Sequence, residues 1–138
     1  MNPVDAALEA QIAIQSDRDI VSARMRGREM ALGLGFSPAL ATLIATAISE
    51  LARNILLYAQ SGEVCVAPLE RGSTRGLLVV ARDRGQGIPD VRRALEDGYS
   101  TGGRLGLGLP GVRRLMDELE IDSTVGGGTV VRVKKWLP

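Results

Sequence analysis

Residues 49–55, Ser-Glu-Leu-Ala-Arg-Asn-Ile, place a carboxylate and a carboxamide in a long apolar helix that is predicted to lie at the centre of the fold. Ser37 and Pro38 are typical of a helix start, and Ser61-Gly62 predicts a break after Tyr58. Between these signals apolar residues recur with the helical period and predict a broad core-facing stripe: Leu40, Leu43, Ile44, Ala47, Ile48, Leu51 and Ile55. Asn54 lies on the flank of this stripe, so its polar group needs a partner.

Glu50 and Asn54 lie one helical turn apart, and together they suit phosphoryl-transfer chemistry. An Asn amide oxygen is a hard, neutral ligand, and Mg²⁺ commonly takes one or two protein ligands while it keeps waters and substrate phosphates. Asn54 is therefore the candidate magnesium ligand, and Glu50 is the candidate base for the proton of an attacking hydroxyl. Short patterns also match by chance, in which case Glu50 faces solvent and Asn54 is satisfied locally.

Asp83 follows an apolar run at residues 76–81 that predicts a central strand. Gly85 and Gly87 come next, and their missing side chains permit unusual φ angles and close approach of a ligand. The Asp83 carboxylate can then accept a hydrogen bond from the amino group of adenine. An ordinary turn is the alternative, since Asp, Gly and Pro are common in turns, but the strand directly before Asp83 favours a site.

A glycine-rich stretch runs from Gly102 to Gly111. Its pattern of glycines at 106, 108 and 111 matches the dinucleotide fingerprint, yet it follows a loop rather than a strand and lacks an acidic residue about twenty positions on, so we reject a Rossmann site. We expect a lid whose backbone amides meet phosphates, together with the free amides of a helix beginning near Pro110. The lid candidates are Gly102, Gly103, Gly106 and Gly108, and Arg104 adds positive charge.

The remaining patterns predict a single α/β (α+β) domain over residues 1–138, built as a two-layer sandwich of a mixed sheet with helices packed on one face. Asp17 is the predicted cap of the first long helix. Strands are predicted at 8–14, 63–69, 76–81, 119–123 and 129–136; helices at 17–34, 89–98 and 110–118; a hairpin turn at 71–76; and a loop at 99–109.

Composition excludes several classes of function. The 138 residues contain 17 Lys and Arg against 16 Asp and Glu, so no net field favours nucleic acid or an anionic membrane. Histidine is absent, which excludes a Ser-His-Asp triad, and a zinc site is not expected. Cys65 is the single cysteine, in a run that predicts a buried thiol. Without a signal-peptide pattern or an uninterrupted apolar run of about 18 residues, we expect a cytoplasmic protein.

These motifs occur in an order that resembles the boxes of the GHKL (Bergerat-fold) ATPases, which include gyrase, Hsp90, histidine kinases and MutL. The matching segments are Glu50-x-x-x-Asn54, Asp83-x-Gly85-x-Gly87, Gly106-Leu107-Gly108-Leu109 and Gly128-Thr129. Residues 49–55, 96–101, 109–112 and 135–137 look like the RsbT-type serine/threonine switch kinases of the stressosome. That closer resemblance covers nearly the whole chain.

The resemblance implies a Bergerat ATP-binding fold that uses ATP and Mg²⁺. It implies that Glu50 is the catalytic base, Asn54 the magnesium ligand and Asp83 the adenine contact. It also implies a set of lining positions: Gly85 and Gly87 in the adenine pocket, Gly106, Leu107 and Gly108 in the ATP lid, and Thr129 behind Asp83 on the last strand.

For function, the resemblance implies a serine/threonine kinase that phosphorylates STAS-domain proteins of the stressosome. Once released from them, such a kinase binds the regulatory domain of a PP2C-type phosphatase and activates it. Two alternatives stay open, because the same boxes serve both: an anti-sigma factor kinase of this fold, or a nucleotide-gated protein-binding switch without kinase turnover. No nucleic acid or membrane partner is expected, and the sequence leaves open whether the chain forms a homodimer.

Overall fold

The computed structural model describes residues 9–88, 95–96 and 108–138. Five strands and three helices follow one another along these residues: β1 (Ala10–Ile14), α1 (Asp17–Leu34), α2 (Pro38–Tyr58), β2 (Gly62–Arg71), β3 (Thr74–Asp83), α3 (Gly108–Leu115), β4 (Glu118–Thr124) and β5 (Gly128–Trp136). The predicted α+β class with helices on a sheet is confirmed. Most of the predicted helix at 89–98, all but residues 95–96, and most of the predicted loop at 99–109 lie outside the described residues.

The sheet has the strand order β1-β2-β3-β5-β4, and all four pairings are antiparallel. The prediction of a mixed sheet is therefore wrong for the described strands. β3 and β4 do run in the same direction, but β5 lies between them and pairs with both. A helical connection between two strands suggests a parallel pair, and the local pattern does not show that a later strand inserts between them.

Alternate residues of each strand face the helices and form the core with them. On the sheet this face carries Ala10, Ile12, Val64, Val66, Val79, Ala81, Val131 and Val133. The pairing register continues the same face into one row at the end of the sheet: Ile14, Gly62, Asp83, Thr129 and Ser123. The apolar core therefore ends in a row with three polar side chains.

The helix starts are set by local hydrogen bonds. The Oγ of Ser37 accepts from the amide of Leu40 at 3.2 Å, and Pro38 is the first helical residue of α2, as predicted. Helix α1 spans the predicted residues, but its cap is Ser16 and not Asp17. The Oδ2 of Asp19 accepts from the amide of Ser16 at 3.1 Å, which satisfies a donor that the helix itself leaves unpaired.

Helix α2 is the central helix of the core. It is long and apolar enough to cross a bilayer by length and composition, yet 56% of the apolar window is buried inside the protein. Its buried residues include Ile44, Ile48, Leu51 and Ile55. Since these side chains pack against α1 and the sheet, α2 is the core helix that its apolar stripe predicted.

Helix α3 starts two residues before the predicted Pro110 and ends at Leu115 instead of Glu118. Pro110 still lies in the first turn, where its missing N–H breaks no helical hydrogen bond. The helix stops early because the chain enters the sheet: the amide of Asp117 donates to the carbonyl of Lys134 at 2.9 Å, and β4 follows directly.

Cys65 is half-buried on the outer face of the sheet, so the prediction of a buried thiol is wrong. It sits in register between Gln11 and Val80, on the side away from the helices. Its Sγ lies 3.2 Å from the Oε2 of Glu63. Partial burial, followed by this contact, raises the pKa of the Cys65 thiol, so it is held as the less reactive thiol form.

The end of the sheet opposite Asp83 is tied by Glu118. Its carboxylate accepts from Arg71 at 2.9 and 3.3 Å and from the indole N–H of Trp136 at 2.7 Å. The Arg71 guanidinium also lies over the Trp136 ring, 4.5 Å from its centroid. The hydrogen bonds from Arg71 and then Trp136 lower the pKa of Glu118 to about 2.

Glu118→Gln is expected to lower the thermal midpoint at pH 7 by a few degrees at most. The folded pKa of Glu118 lies below its usual 4.5, so its contribution is present above about pH 4.5 and is lost as the pH falls toward 2. Thermal melts followed by circular dichroism from pH 7 to pH 2 should therefore show the midpoints of the wild type and of Glu118→Gln converging. Glu120→Gln, on the same exposed face of β4, is the matched control. A midpoint difference that stays constant down to pH 2 would contradict the assignment.

Candidate active site

Glu50 is a buried carboxylate on α2, with 7% of its surface exposed. The Nη1 of Arg53 lies 2.6 Å from its Oε2, and the amide of Gly108 donates to its Oε1 at 3.3 Å. The alternative of a solvent-facing Glu50 is therefore wrong. A buried charge needs an ion pair and hydrogen bonds, and Arg53, three residues later on the same helix, supplies the ion pair.

Asn54 is half-buried one turn after Glu50 and has an interaction partner within the protein. This agrees with the expectation that a polar group beside the apolar stripe must be satisfied. Asn54 and Glu50 share one face of α2, so the candidate ligand and the candidate base lie side by side.

Two other parts of the chain meet α2 on either side of Asn54. The amide of Gly108, at the start of α3, contacts Glu50. Gly85, in the segment after β3, packs on the end of α2: a Cβ there would lie 2.8 Å from the carbonyl oxygen of Tyr58 and 2.7 Å from the Cβ of Ala59. Glu50 and Tyr58 are eight residues apart, which is about 12 Å along the helix. The site is thus bounded by α3 at one end and by the segment after β3 at the other.

Asp83 and Thr129 are direct cross-strand partners on the helix-facing side of the sheet. The Oδ1 of Asp83 accepts from the amide of Gly85 at 2.9 Å. Its Oδ2 has no partner among residues 9–88 and 108–138. Side chains of directly opposed residues lie on the same face of a sheet, so the Asp83 carboxylate and the Thr129 hydroxyl are polar groups on adjacent strands at this end of the site.

Three hydrogen bonds to other described residues hold the segment from Arg84 to Ile88. Besides the Gly85 amide on Asp83, the carbonyl of Gln86 accepts from Gly126 at 2.7 Å, and the amide of Ile88 donates to the Oγ of Ser123 at 2.6 Å. Gly87 has a φ of 82°, and a Cβ there would overlap the carbonyl oxygen of Thr124. The predicted unusual φ is confirmed at Gly87, but the close neighbour is the protein's own backbone.

The structure brings Glu50, Asn54 and Gly108 together at one end of the site, and Asp83, Gly85, Gly87 and Thr129 at the other. Five predicted lid residues lie outside the described ranges: Gly102, Gly103, Arg104, Gly106 and Leu107.

Two residues that contact the site were missed from the sequence. Arg53 carried a usable signal, since a cation three residues after a helical Glu is a common ion-pair spacing. Ser123 carried none, because its place beside Thr129 depends on the pairing of β4 with β5.

The chain matches the family model described as "Histidine kinase-like ATPase domain" over residues 15–135. It is 49% identical over 126 residues to serine/threonine-protein kinase RsbT of Bacillus subtilis (strain 168), across 91% of this chain and 95% of that protein. It is also 31% identical over 98 residues to the anti-sigma F factor of Thermoanaerobacter sp. (strain X514), across 68% of each chain.

Among solved structures, the chain is similar to the RsbU and RsbW domains of Rv1364c from Mycobacterium tuberculosis, with a TM-score of 0.59 and 20% sequence identity. The match covers 94% of this chain and 32% of that one, so this chain spans about a third of its length. At this level of identity the likeness shows the fold alone, and it agrees with the predicted Bergerat architecture.

Proposed function

This chain belongs to the histidine kinase-like ATPase family and, within it, to the RsbT-type serine/threonine protein kinases, and from this premise we propose that it phosphorylates STAS-domain proteins of a stressosome. When released from them, it binds the regulatory domain of a PP2C-type phosphatase and activates it. This partner switch operates in the cytoplasm, without nucleic acid or membrane.

The observation that carries the proposal is the paired arrangement around α2. A buried carboxylate, Glu50, lies one turn from Asn54, while Asp83, on the helix-facing side of the sheet, has one carboxylate oxygen without a hydrogen-bond partner among the residues that the structure describes. A kinase needs a proton acceptor near the phosphates and a group that recognises the adenine at the opposite end of the nucleotide. The distance along α2 between the two ends of the site supports placing the phosphates at Glu50 and the adenine at Asp83.

At the adenine end, the Oδ2 of Asp83 accepts a hydrogen bond from the 6-amino group of ATP. The Oδ1 stays on the Gly85 amide, so the carboxylate keeps one orientation while its second oxygen binds the base. Thr129 lies beside it as a second polar contact.

At the phosphate end, the donor set fits a magnesium ion held mainly by the nucleotide. Asn54 offers one neutral oxygen, while the carboxylate of Glu50 is engaged by Arg53 and Gly108. One protein ligand, completed by phosphates and waters, is the arrangement that Mg²⁺ prefers. A magnesium ion held there by Asn54 would supply positive charge that neutralises the transferring phosphate.

Glu50 accepts the proton of the substrate serine or threonine hydroxyl. Its Oε2 is held at 2.6 Å by Arg53, whereas the one contact of Oε1 among the described residues is the longer 3.3 Å hydrogen bond from the Gly108 amide. Oε1 is therefore the oxygen that can exchange its partner for a substrate hydroxyl. Arg53 keeps the buried charge compensated throughout.

The proposal is tested by transfer of labelled γ-phosphate from Mg-ATP to a STAS-domain protein encoded in the same operon. Label on the STAS protein, abolished by a magnesium chelator, is the expected result. No transfer with ATP binding intact in calorimetry would overturn the STAS-kinase proposal and favour a nucleotide-gated binding switch.

An anti-sigma factor kinase is the second candidate, favoured by the anti-sigma F factor at 31% identity over 68% of the chain. A pull-down separates the two. We expect retention by the regulatory domain of the PP2C-type phosphatase and no retention by a sigma factor, and the reverse pattern would establish the second candidate.

Asp83→Asn is expected to weaken ATP binding by about tenfold to a hundredfold, because an amide replaces a charged acceptor of the 6-amino group. Calorimetric titration of the variant with Mg-ATP measures the loss. Asp122→Asn, an exposed residue on the outer face of β4, is the matched control and should bind ATP like the wild type. An unchanged affinity in Asp83→Asn would remove Asp83 from the site.

A further inference from the structure

The hydroxyl of Ser123, at the end of β4, makes three contacts at the adenine end of the site. It accepts from the amide of Ile88 at 2.6 Å, lies 2.8 Å from the Oγ1 of Thr129, and lies 3.3 Å from the carbonyl oxygen of Gly128. The pairing register places Ser123 directly opposite Thr129, which is in turn opposite Asp83.

The number of available protons decides which hydroxyl donates in the hydrogen bond between Ser123 and Thr129. A serine hydroxyl has one proton to donate and two lone pairs to accept with. The Ile88 amide can only donate and the Gly128 carbonyl can only accept. All three contacts are therefore made together only when Ser123 donates to Gly128 and accepts from both Ile88 and Thr129. The reverse arrangement, with Ser123 donating to Thr129, leaves the Gly128 contact unmade.

In the arrangement that makes all three contacts, the proton of Thr129 points at Ser123. The lone pairs of Thr129 are then left to accept, on the residue directly opposite Asp83 in the sheet. Two neighbouring acceptors suit a purine with a donor at position 6, which is an amino group. The same two acceptors disfavour the binding of a purine with an oxygen at position 6, because that oxygen would face other acceptors and would be left without a hydrogen-bond donor.

We propose that Ser123 is a positioning residue that holds the Thr129 hydroxyl as an acceptor, and that it thereby selects a 6-aminopurine nucleotide over a 6-oxopurine one. The inference rests on the proposed nucleotide site between Asp83 and α2, and it adds the origin of base specificity. In Ser123→Ala the Thr129 hydroxyl is free to turn and donate, so it can also serve a 6-oxo group.

The test compares the dissociation constants of Mg-ATP and Mg-ITP, measured by calorimetry on the full chain. ITP differs from ATP by an oxygen at position 6 and the proton on N1. Ser123→Ala is expected to reduce the preference for ATP over ITP by about tenfold, the usual scale of one hydrogen bond to a polar partner. Ser123→Thr keeps the hydroxyl and should keep the preference.

If Ser123 had a purely structural role, it would hold Ile88 in place, and Ser123→Ala would weaken the binding of both nucleotides by the same factor. The ratio of the two constants therefore separates the roles. Thr129→Val provides the second control, because it removes the hydroxyl that Ser123 orients. Adding Ser123→Ala to Thr129→Val should leave the ratio unchanged.

Three results would overturn the inference: equal weakening of ATP and ITP in Ser123→Ala, a ratio change of the same size in the Thr129→Val background, or a wild-type chain that does not distinguish the nucleotides. If Ser123→Ala does not fold, Ser123→Cys makes the same test, since a thiol forms only weak hydrogen bonds. Asp83→Asn shows whether the nucleotide site itself is correctly assigned. If Asp83→Asn weakens ATP binding while Ser123→Ala leaves the ratio of the ATP and ITP dissociation constants unchanged, only the role of Ser123 is rejected.

Discussion

Glu50→Gln is expected to slow phosphoryl transfer by about 10²–10⁴-fold, the usual contribution of a positioned proton acceptor. The substituted amide has nearly the shape of the carboxylate but cannot take the proton of the substrate hydroxyl. ATP affinity should stay close to that of the wild type, since the proposed adenine contacts, Asp83 and Thr129, lie at the other end of the site.

The fold should tolerate this substitution. The amide oxygen of Gln can still accept from the Gly108 amide, which holds the start of α3 on α2. Arg53 loses its ion-pair partner, but its side chain is 41% exposed and can remain hydrated. The loss is therefore expected in the rate of the chemical step rather than in stability or nucleotide binding.

Single-turnover transfer of γ-phosphate to the proposed STAS-domain substrate measures this rate directly, alongside calorimetric titration with Mg-ATP. Glu63→Gln is the matched control, because Glu63 lies on the outer face of the sheet, 3.9 Å from Arg82. It should transfer phosphate at the wild-type rate. A wild-type rate in Glu50→Gln would remove Glu50 as the base, and a parallel loss of ATP binding would make it a binding residue instead.

Gly128→Ala is expected to destabilise the fold by about 3 kcal/mol or more, because two costs add. Gly128 has a φ of 87°, which an L residue adopts only with strain. A Cβ at this position would also overlap the carbonyl oxygen of Asp83 and lie 2.9 Å from the Cα of Arg84. The backbone of the adenine end would have to shift, so ATP binding should weaken as well.

Gly126→Ala is the control within the same turn. Gly126 has a φ of 82°, but a Cβ there would meet no atom within 4 Å. Only the strain of about 1–2 kcal/mol is then expected. Urea unfolding of both variants gives their free energies of unfolding, and calorimetry gives their ATP affinities. Equal losses in the two variants would show that the contact with Asp83 contributes nothing.

Much of this fold follows from local signals in the sequence. The start of α2 at Ser37-Pro38, its end at Tyr58, and the span of α1 were predicted at the residues where they occur. The apolar run that delivers Asp83 to the end of β3 was predicted as well. Caps, helical periods and apolar runs act within a few residues of one another, so a single chain carries this information directly. The ordered boxes from Glu50 to Thr129 also predicted the family.

The order of the strands and the contacts between distant elements are visible only in the tertiary structure. It placed β5 between β3 and β4, which made the sheet antiparallel and set Ser123 and Thr129 in one row with Asp83. It joined the Gly108 amide to Glu50 across 58 positions of the chain. Register and strand order depend on burying one whole face of the sheet under the helices, and that condition involves residues from β1 to β5 at once. The periodicity of the sequence does not carry this information. Whether the Thr129 hydroxyl donates or accepts could therefore be inferred only once β4 was paired with β5.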